Sequence, residues 1–98
     1  MITVEVVLPG VLTEDAGGAH TLDVRFEAPT TGARVCEVLD GLAALHPRLG
    51  RRLRDEQGVV RRHVNLFVDG DDIRATGGQD TPVRHGSTLY VLPNVAGG

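Results

Sequence analysis

Four separated stretches of this chain alternate apolar with polar residues, and a single longer stretch repeats its apolar residues at helical spacing, which leaves few ways to build a core. Ile2, Val4, Val6 and Leu8 alternate with Thr3, Glu5, Val7 and Pro9, the period-two pattern of a strand buried on one face. The pattern returns at Leu22, Val24 and Phe26, at Val64, Leu66 and Val68, and at Leu89 and Val91. Pro9-Gly10 ends the first strand, and the polar, glycine-containing run to Gly18 predicts a surface loop before an antiparallel return. Val35, Val38, Leu39, Leu42 and Leu45 share one helical face, predicting a helix over 34–46. Gly41 weakens that helix slightly and Pro47 closes it, because proline lacks the amide hydrogen and restricts the residue before it.

Leu49 and Leu53 predict a further short helical turn, and 55–58 reads as a loop. Asp69-Gly70 is a tight-hairpin signal, since both residues accept the positive φ that matches strand twist; a short returning strand is expected near Asp72-Ile73-Arg74. The stretch 76–82 reads as a loop, and Arg84-His85-Gly86-Ser87 turns the chain into the last strand. The order is therefore strand, strand, helix, strand, short strand, strand. That order predicts an α+β protein, a mixed sheet of about five strands with a main helix across one face, compatible with a ubiquitin-like β-grasp. The 98 residues suit one domain, divided as a globular unit over 1–92 and a flexible tail over 93–98.

The tail carries the candidate chemistry. Leu89-Tyr90-Val91-Leu92 leads into Pro93-Asn94-Val95-Ala96-Gly97-Gly98, so a buried strand runs into a segment able to enter a narrow slot. Val95 and Ala96 are inert, and Gly97 and Gly98 leave the terminal carboxyl carbon sterically open; the carboxylate of Gly98 is the tail's reactive group. Thirteen glycines occur in the chain and chain ends are often small-residue segments, so the diglycine draws its weight from the strand directly before it.

Several function classes are disfavoured. A net charge of −3 gives no broad basic field for nucleic acid. Six arginines fall between Arg48 and Arg62, but Asp55 and Glu56 interrupt them and no aromatic is interleaved, so they read as a solvated helix end and loop rather than a phosphate-binding patch. All ten basic residues are arginine; a second copy of the chain thus offers no side-chain amine to an activated carboxylate. Cys36 is the one cysteine, off the apolar stripe, and reads as a structural thiol with no base beside it. His20, His46, His63 and His85 are dispersed, so no metal site is predicted. No phosphate-loop, dinucleotide or nucleophile-elbow motif is present, and no catalytic residue is assigned. Without a basic start and apolar segment at the N-terminus, or a long apolar run, neither export nor a membrane span is predicted, and a cytoplasmic location is expected.

The stretch 64–74, the turn His85-Gly86-Ser87 and the ending from Leu92 to Gly98 together resemble the ubiquitin-like sulfur carriers of the MoaD/ThiS family, most of all those of the CysO type. Two positions depart from the pattern: Arg34 stands where many members have an N-capping threonine, and Ser87 where an acidic residue follows the turn glycine. The resemblance implies a carrier that is not itself an enzyme and binds no cofactor. An E1-like adenylating and sulfurtransferase enzyme would use ATP to adenylate Gly98, a sulfur donor would displace AMP, and the resulting C-terminal thiocarboxylate (1-thioglycine) would serve a sulfur-accepting biosynthetic enzyme, foremost in cysteine synthesis. The molybdopterin-synthase small subunit, a thiamin carrier and a natural-product carrier use the same tail.

In the strand order that the resemblance implies, the face away from the helix gathers Val7, Phe67, Tyr90 and Leu92 at the root of the tail, an apolar patch suited to docking a partner. Scattered surface apolars or a covering loop would be the plainer outcome. The competing class is a ubiquitin-like interaction module whose tail is never activated.

Overall fold

The computed structural model describes residues 1–93. Strands β1 (Ile2–Val7), β2 (Thr21–Phe26), β3 (Ala33–Arg34), β4 (Val64–Val68), β5 (Asp71–Asp72), β6 (Pro82–Val83) and β7 (Thr88–Pro93) alternate with helices α1 (Val35–Leu45) and α2 (Pro47–Leu53). Five strands form one mixed sheet in the order β2-β1-β7-β4-β5, while β3 and β6 make a separate pair. β1 runs antiparallel to β2 and parallel to β7, and β7 runs antiparallel to β4. This is the expected mixed sheet with a helix on one face.

The alternation assigns the faces correctly. Val4, Val6, Leu8, Val24, Leu66, Val68, Leu89 and Val91 are buried with Val35, Val38, Leu39 and Leu42 of α1, and Ile2, Leu22 and Phe26 pack at the edge of that core. The helical stripe stops one turn early, for Leu45 is 60% exposed. The Asp69-Gly70 turn has φ of 50° and 95°, both in the left-handed region that a two-residue hairpin of this hand requires.

Pro47 has a double role. It closes α1, whose last cap bond runs from the His46 N–H to the Leu42 carbonyl, and it occupies the first turn of α2, where a missing amide hydrogen costs nothing. The predicted short turn is thus a full second helix. Leu49 and Leu53 are almost wholly buried, each contributing about 2 kcal/mol by leaving water. Gly50 allows the helices to meet: a Cβ there would stand 2.6 Å from Ala43 Cβ and 2.9 Å from its Cα. Gly41 similarly faces Val24, whose Cγ1 would lie 2.6 Å from an added Cβ; its weak helix propensity is the cost of seating α1 on the sheet.

Other expectations are corrected. The stretch read as a surface loop after Pro9 contains a 3-10 helix, Gly10–Ala16, that buries Leu12 and Ala16. The returning strand is earlier and shorter than 72–74: after Asp72 the chain winds into a 3-10 turn over Ile73–Ala75, burying Ile73. The loop over 76–82 holds a further 3-10 turn, Gly78–Asp80, and the first residue of β6. Two-residue strands such as β3 and β6 are too short to show a period; they pair Ala33 with Val83 and Arg34 with Pro82, and the Val35 N–H donates to the Thr81 carbonyl at 3.0 Å.

Gly50→Ala should lower stability by about 2 kcal/mol through overpacking, despite the roughly 1 kcal/mol that alanine gains in a helix. Denaturant unfolding of both proteins measures the difference; an unchanged or raised midpoint would show that the two helices separate without cost.

Candidate functional site

β7 is the middle strand of the sheet, bonded on both sides, and it ends five residues before the C-terminus. Its register sets the open face, the one turned away from α1. Val7 lies opposite Tyr90 in the parallel pair and Phe67 opposite Tyr90 in the antiparallel pair, so three side chains form one row across β1, β7 and β4. Leu92, two residues on, stands opposite Asn65. Val7 and Phe67 are half-buried, and Tyr90 and Leu92 are 41% and 47% exposed. Phe67, Tyr90 and Leu92 line a shallow depression with Asp69, Gly70 and Thr88. The four sequence-predicted face residues therefore occupy one side of three neighbouring strands. Val95, Ala96, Gly97 and Gly98 lie outside the described residues.

An acidic row, which the sequence reading missed, borders the apolar one. Glu5 faces Asp23 across β1 and β2 and Thr88 across β1 and β7; the Thr88 N–H donates to Asp69 Oδ1 at 2.9 Å. Glu5, Asp23 and Asp69 are exposed. Like charges directly opposite each other on a sheet are destabilising. Alternation alone put both acids on the polar side of their strands, but their adjacency depends on register.

The remaining candidates fall elsewhere. Asp72 holds Arg74, with Oδ2 2.8 Å from Nη2 and Oδ1 accepting the Arg74 backbone N–H at 2.9 Å; the side-chain bonds, then the backbone one, hold its carboxyl below the usual range. Asp69 and Asp72, on either side of the hairpin turn, are thus committed to donors within the chain. Among the described residues no group of three or more His, Cys, Asp or Glu is placed to share a metal ion. His85 Nδ1 accepts the Thr3 N–H at 3.1 Å.

Both departures from the family pattern have structural roles. Ser87 is buried, its Oγ accepting the Arg84 N–H at 3.0 Å while its carbonyl accepts the Glu5 N–H; a hydroxyl closes the turn that docks on β1. Arg34 has no acceptor with which to cap α1, and the start is held instead by Glu37, whose Oε1 accepts the Arg34 backbone N–H at 3.0 Å. Partial burial pushes the Glu37 carboxyl up, but hydrogen bonds from Cys36 and Arg34 outweigh it and hold it below its ordinary value. Burial, and then the bond to Glu37, push the Cys36 thiol up, opposite to the shift that activates a nucleophile.

The arginine run is divided by the fold. Arg54 is partly buried, donating to Asp40 at 2.7 Å and to Gln79 at 3.2 Å. Arg48 and Arg52 share Asp15 at 3.7 and 3.8 Å, and Arg61 Nε donates to the Arg51 carbonyl at 2.7 Å.

A mixed sheet in this order, with a helix packed across one face, is a ubiquitin-like β-grasp. The chain belongs to the ThiS family, whose profile matches residues 6–98. It is 33% identical over 99 residues to the sulfur carrier protein CysO of Mycobacterium bovis, covering 99% of this chain and 100% of that one. Among solved structures it is similar to a chain of the Amycolatopsis orientalis BexX/CysO complex, at 34% identity and a TM-score of 0.83 over 97% of this chain and 99% of that one. The small archaeal modifier SAMP1 of Haloferax volcanii is 28% identical with a TM-score of 0.79, covering 98% and 99%. No helix of the described residues is long and apolar enough to cross a membrane.

Glu5→Gln should raise stability by about 0.2–1 kcal/mol, because it removes one member of the facing like-charge pair. Asp23→Asn should do the same, with less than additive gain in the double variant. A loss of stability in denaturant unfolding would show that Glu5 has a favourable partner outweighing Asp23.

Proposed function

We propose that this protein is a sulfur carrier that works as a co-substrate of partner enzymes, through the carboxyl group of Gly98. The observation that carries this reading is the position of β7: the strand that leads toward Gly97-Gly98 is also the centre of the apolar row Val7, Tyr90 and Phe67 on the open face of the sheet. A partner seated on that row is brought to the root of the segment it must handle. Membership of the ThiS family and the full-length likeness to CysO carriers support the same role.

In this reading an E1-like enzyme binds ATP and the open face together. A Gly98 carboxylate oxygen attacks the α-phosphorus and pyrophosphate leaves, turning a poor electrophile into an acyl adenylate. Sulfide from a donor attacks the carbonyl carbon, the C–O bond to AMP breaks, and a C-terminal thiocarboxylate remains. Gly97, Ala96 and Val95 keep the approach narrow, and six residues from Pro93 span on the order of 20 Å when extended. The thiocarboxylate sulfur then attacks the substrate of an acceptor enzyme, with cysteine synthesis favoured by the CysO likeness. The acidic row of Asp23, Glu5 and Asp69 would suit a partner with a basic rim, and association would then be faster at low salt. ATP belongs to the partner and the thiocarboxylate is the modification of this chain.

The name of the archaeal relatives suggests a second use of the same adenylate, capture by an amine of another protein. With no lysine in the chain, side-chain conjugation would have to target other proteins rather than further copies of this one.

Incubation with ATP, sulfide and a candidate activating enzyme, followed by intact-mass analysis, should show replacement of one oxygen by sulfur. Fragmentation must place the change at Gly98, since oxidation of Met1 or Cys36 adds nearly the same mass. Deleting Gly98 should abolish the product; full activity of that variant would remove the carrier reading. Leu92→Asp and Phe67→Asp should remain folded by circular dichroism while activation falls about tenfold or more, the range of an interface anchor. Normal activation of both would remove the docking face.

A further inference from the structure

A second concave surface lies across β4 from the tail's origin. Between the segment 59–62 and the residues after β5, a groove of about 410 Å³ opens on Val60, Val64, Leu66 and Ile73. Arg61, Arg62 and Arg74 form its rim. Arg74 is paired with Asp72, and Arg61 uses only its Nε on the Arg51 carbonyl. Arg62 is exposed and makes no side-chain hydrogen bond or ion pair among the described residues. The floor is apolar and the rim carries an excess of positive charge, a combination that suits a small apolar segment ending in an anion.

The chain itself contains such a segment. Asn94-Val95-Ala96-Gly97-Gly98 has no charged side chain and ends in a carboxylate. It starts beside the groove, since Pro93 is paired with Val64, which also forms part of the floor. Five extended residues span roughly 17 Å, against about 4.8 Å between neighbouring strands. The tail is therefore long enough to cross the start of β4, past His63 and Arg62, and still place residues along the floor. Tethering raises its local concentration to the order of millimolar, so a weak contact suffices to fill the site.

The geometry points to a resting site for the protein's own tail: Val95 and Ala96 against the floor formed by Val60, Val64, Leu66 and Ile73, with the Gly98 carboxylate held by Arg61 and Arg62. Its use as a safeguard rests on the carrier reading. A docked terminus is shielded from water and stray electrophiles, and a partner on the opposite, acid-bordered face draws it out. The two faces of the sheet thereby hold separate functions, one receiving the partner and the other keeping the reactive end between visits.

The test compares amide and methyl NMR spectra of the full chain, of a chain ending at Pro93, and of a full chain whose Gly98 is a C-terminal amide. Deletion should shift the resonances of Val60, Leu66 and Ile73, leave Asp23 and Arg25 of β2 unmoved, and do so equally after tenfold dilution. Amidation should reproduce most of that shift in the full-length chain, and so should Arg62→Gln at an unchanged melting temperature. A groove indifferent to deletion overturns the proposal. So does a shift that fades on dilution, which would assign the groove to the tail of a second copy, or an amidated chain whose groove resonances match those of the intact chain, which would exclude carboxylate capture. Failure to form a thiocarboxylate would leave these spectra unchanged, and an empty groove would leave thiocarboxylate formation intact, so the two readings fail separately.

Discussion

The parallel pairing of β1 with β7 is the contact on which the rest of the molecule depends. It joins the first strand to the last, with Glu5 opposite Thr88, Val6 opposite Leu89 and Val7 opposite Tyr90. Closing so long a loop is costly, but the entropy grows only slowly with length, and the return is a central strand bonded on both sides. Leu89 and Val91 point into the core from that strand while Tyr90 and Leu92 point out. The same strand thus anchors the hydrophobic interior and presents the surface next to the C-terminus.

The helical layer is fitted to that sheet by two glycines. Gly41 lets α1 approach Val24, and Gly50 lets α2 approach Ala43; both give up helix propensity for close packing. Arg54 then ties the layer together, reaching from the end of α2 to Asp40 of α1 and to Gln79, whose amide donates to the Gly58 carbonyl at 2.7 Å. The outcome is charge separation in a protein of modest net charge. Acids line the open sheet face, while most of the arginine run lies on α2 and the segment before β4. Such a distribution orients encounters with a partner more than it stabilises the fold.

Local pattern carried much of this. Period-two alternation identified the long strands and their buried faces, and helical spacing placed α1 within one residue of each end. It failed where the element was too short to repeat its period, as for β3 and β6, and where apolar residues were too sparse, as for Leu12 and Ala16 in the 3-10 helix after β1. Pro47 was read correctly as an end, and the short helical turn expected at Leu49 and Leu53 is the helix α2, which starts on that same proline and buries both leucines. Ile73 looked like a strand residue because it is apolar beside a hairpin turn; the chain turns at Asp72 and buries it from a 3-10 turn instead.

The sequence by itself determined which side of each long strand is apolar, where the helix and the hairpin turn lie, and that the chain ends in two glycines without a lysine anywhere. Those properties are local, or are written directly in residue identity. The row of Val7, Tyr90 and Phe67 followed from the strand order that the family resemblance implies, whereas the tertiary structure alone decided that Glu5 meets Asp23 and that Arg61, Arg62 and Arg74 border one groove. Periodicity reports the direction a side chain faces relative to its own backbone. What it meets there is set by register and packing between segments tens of residues apart, which no local pattern encodes.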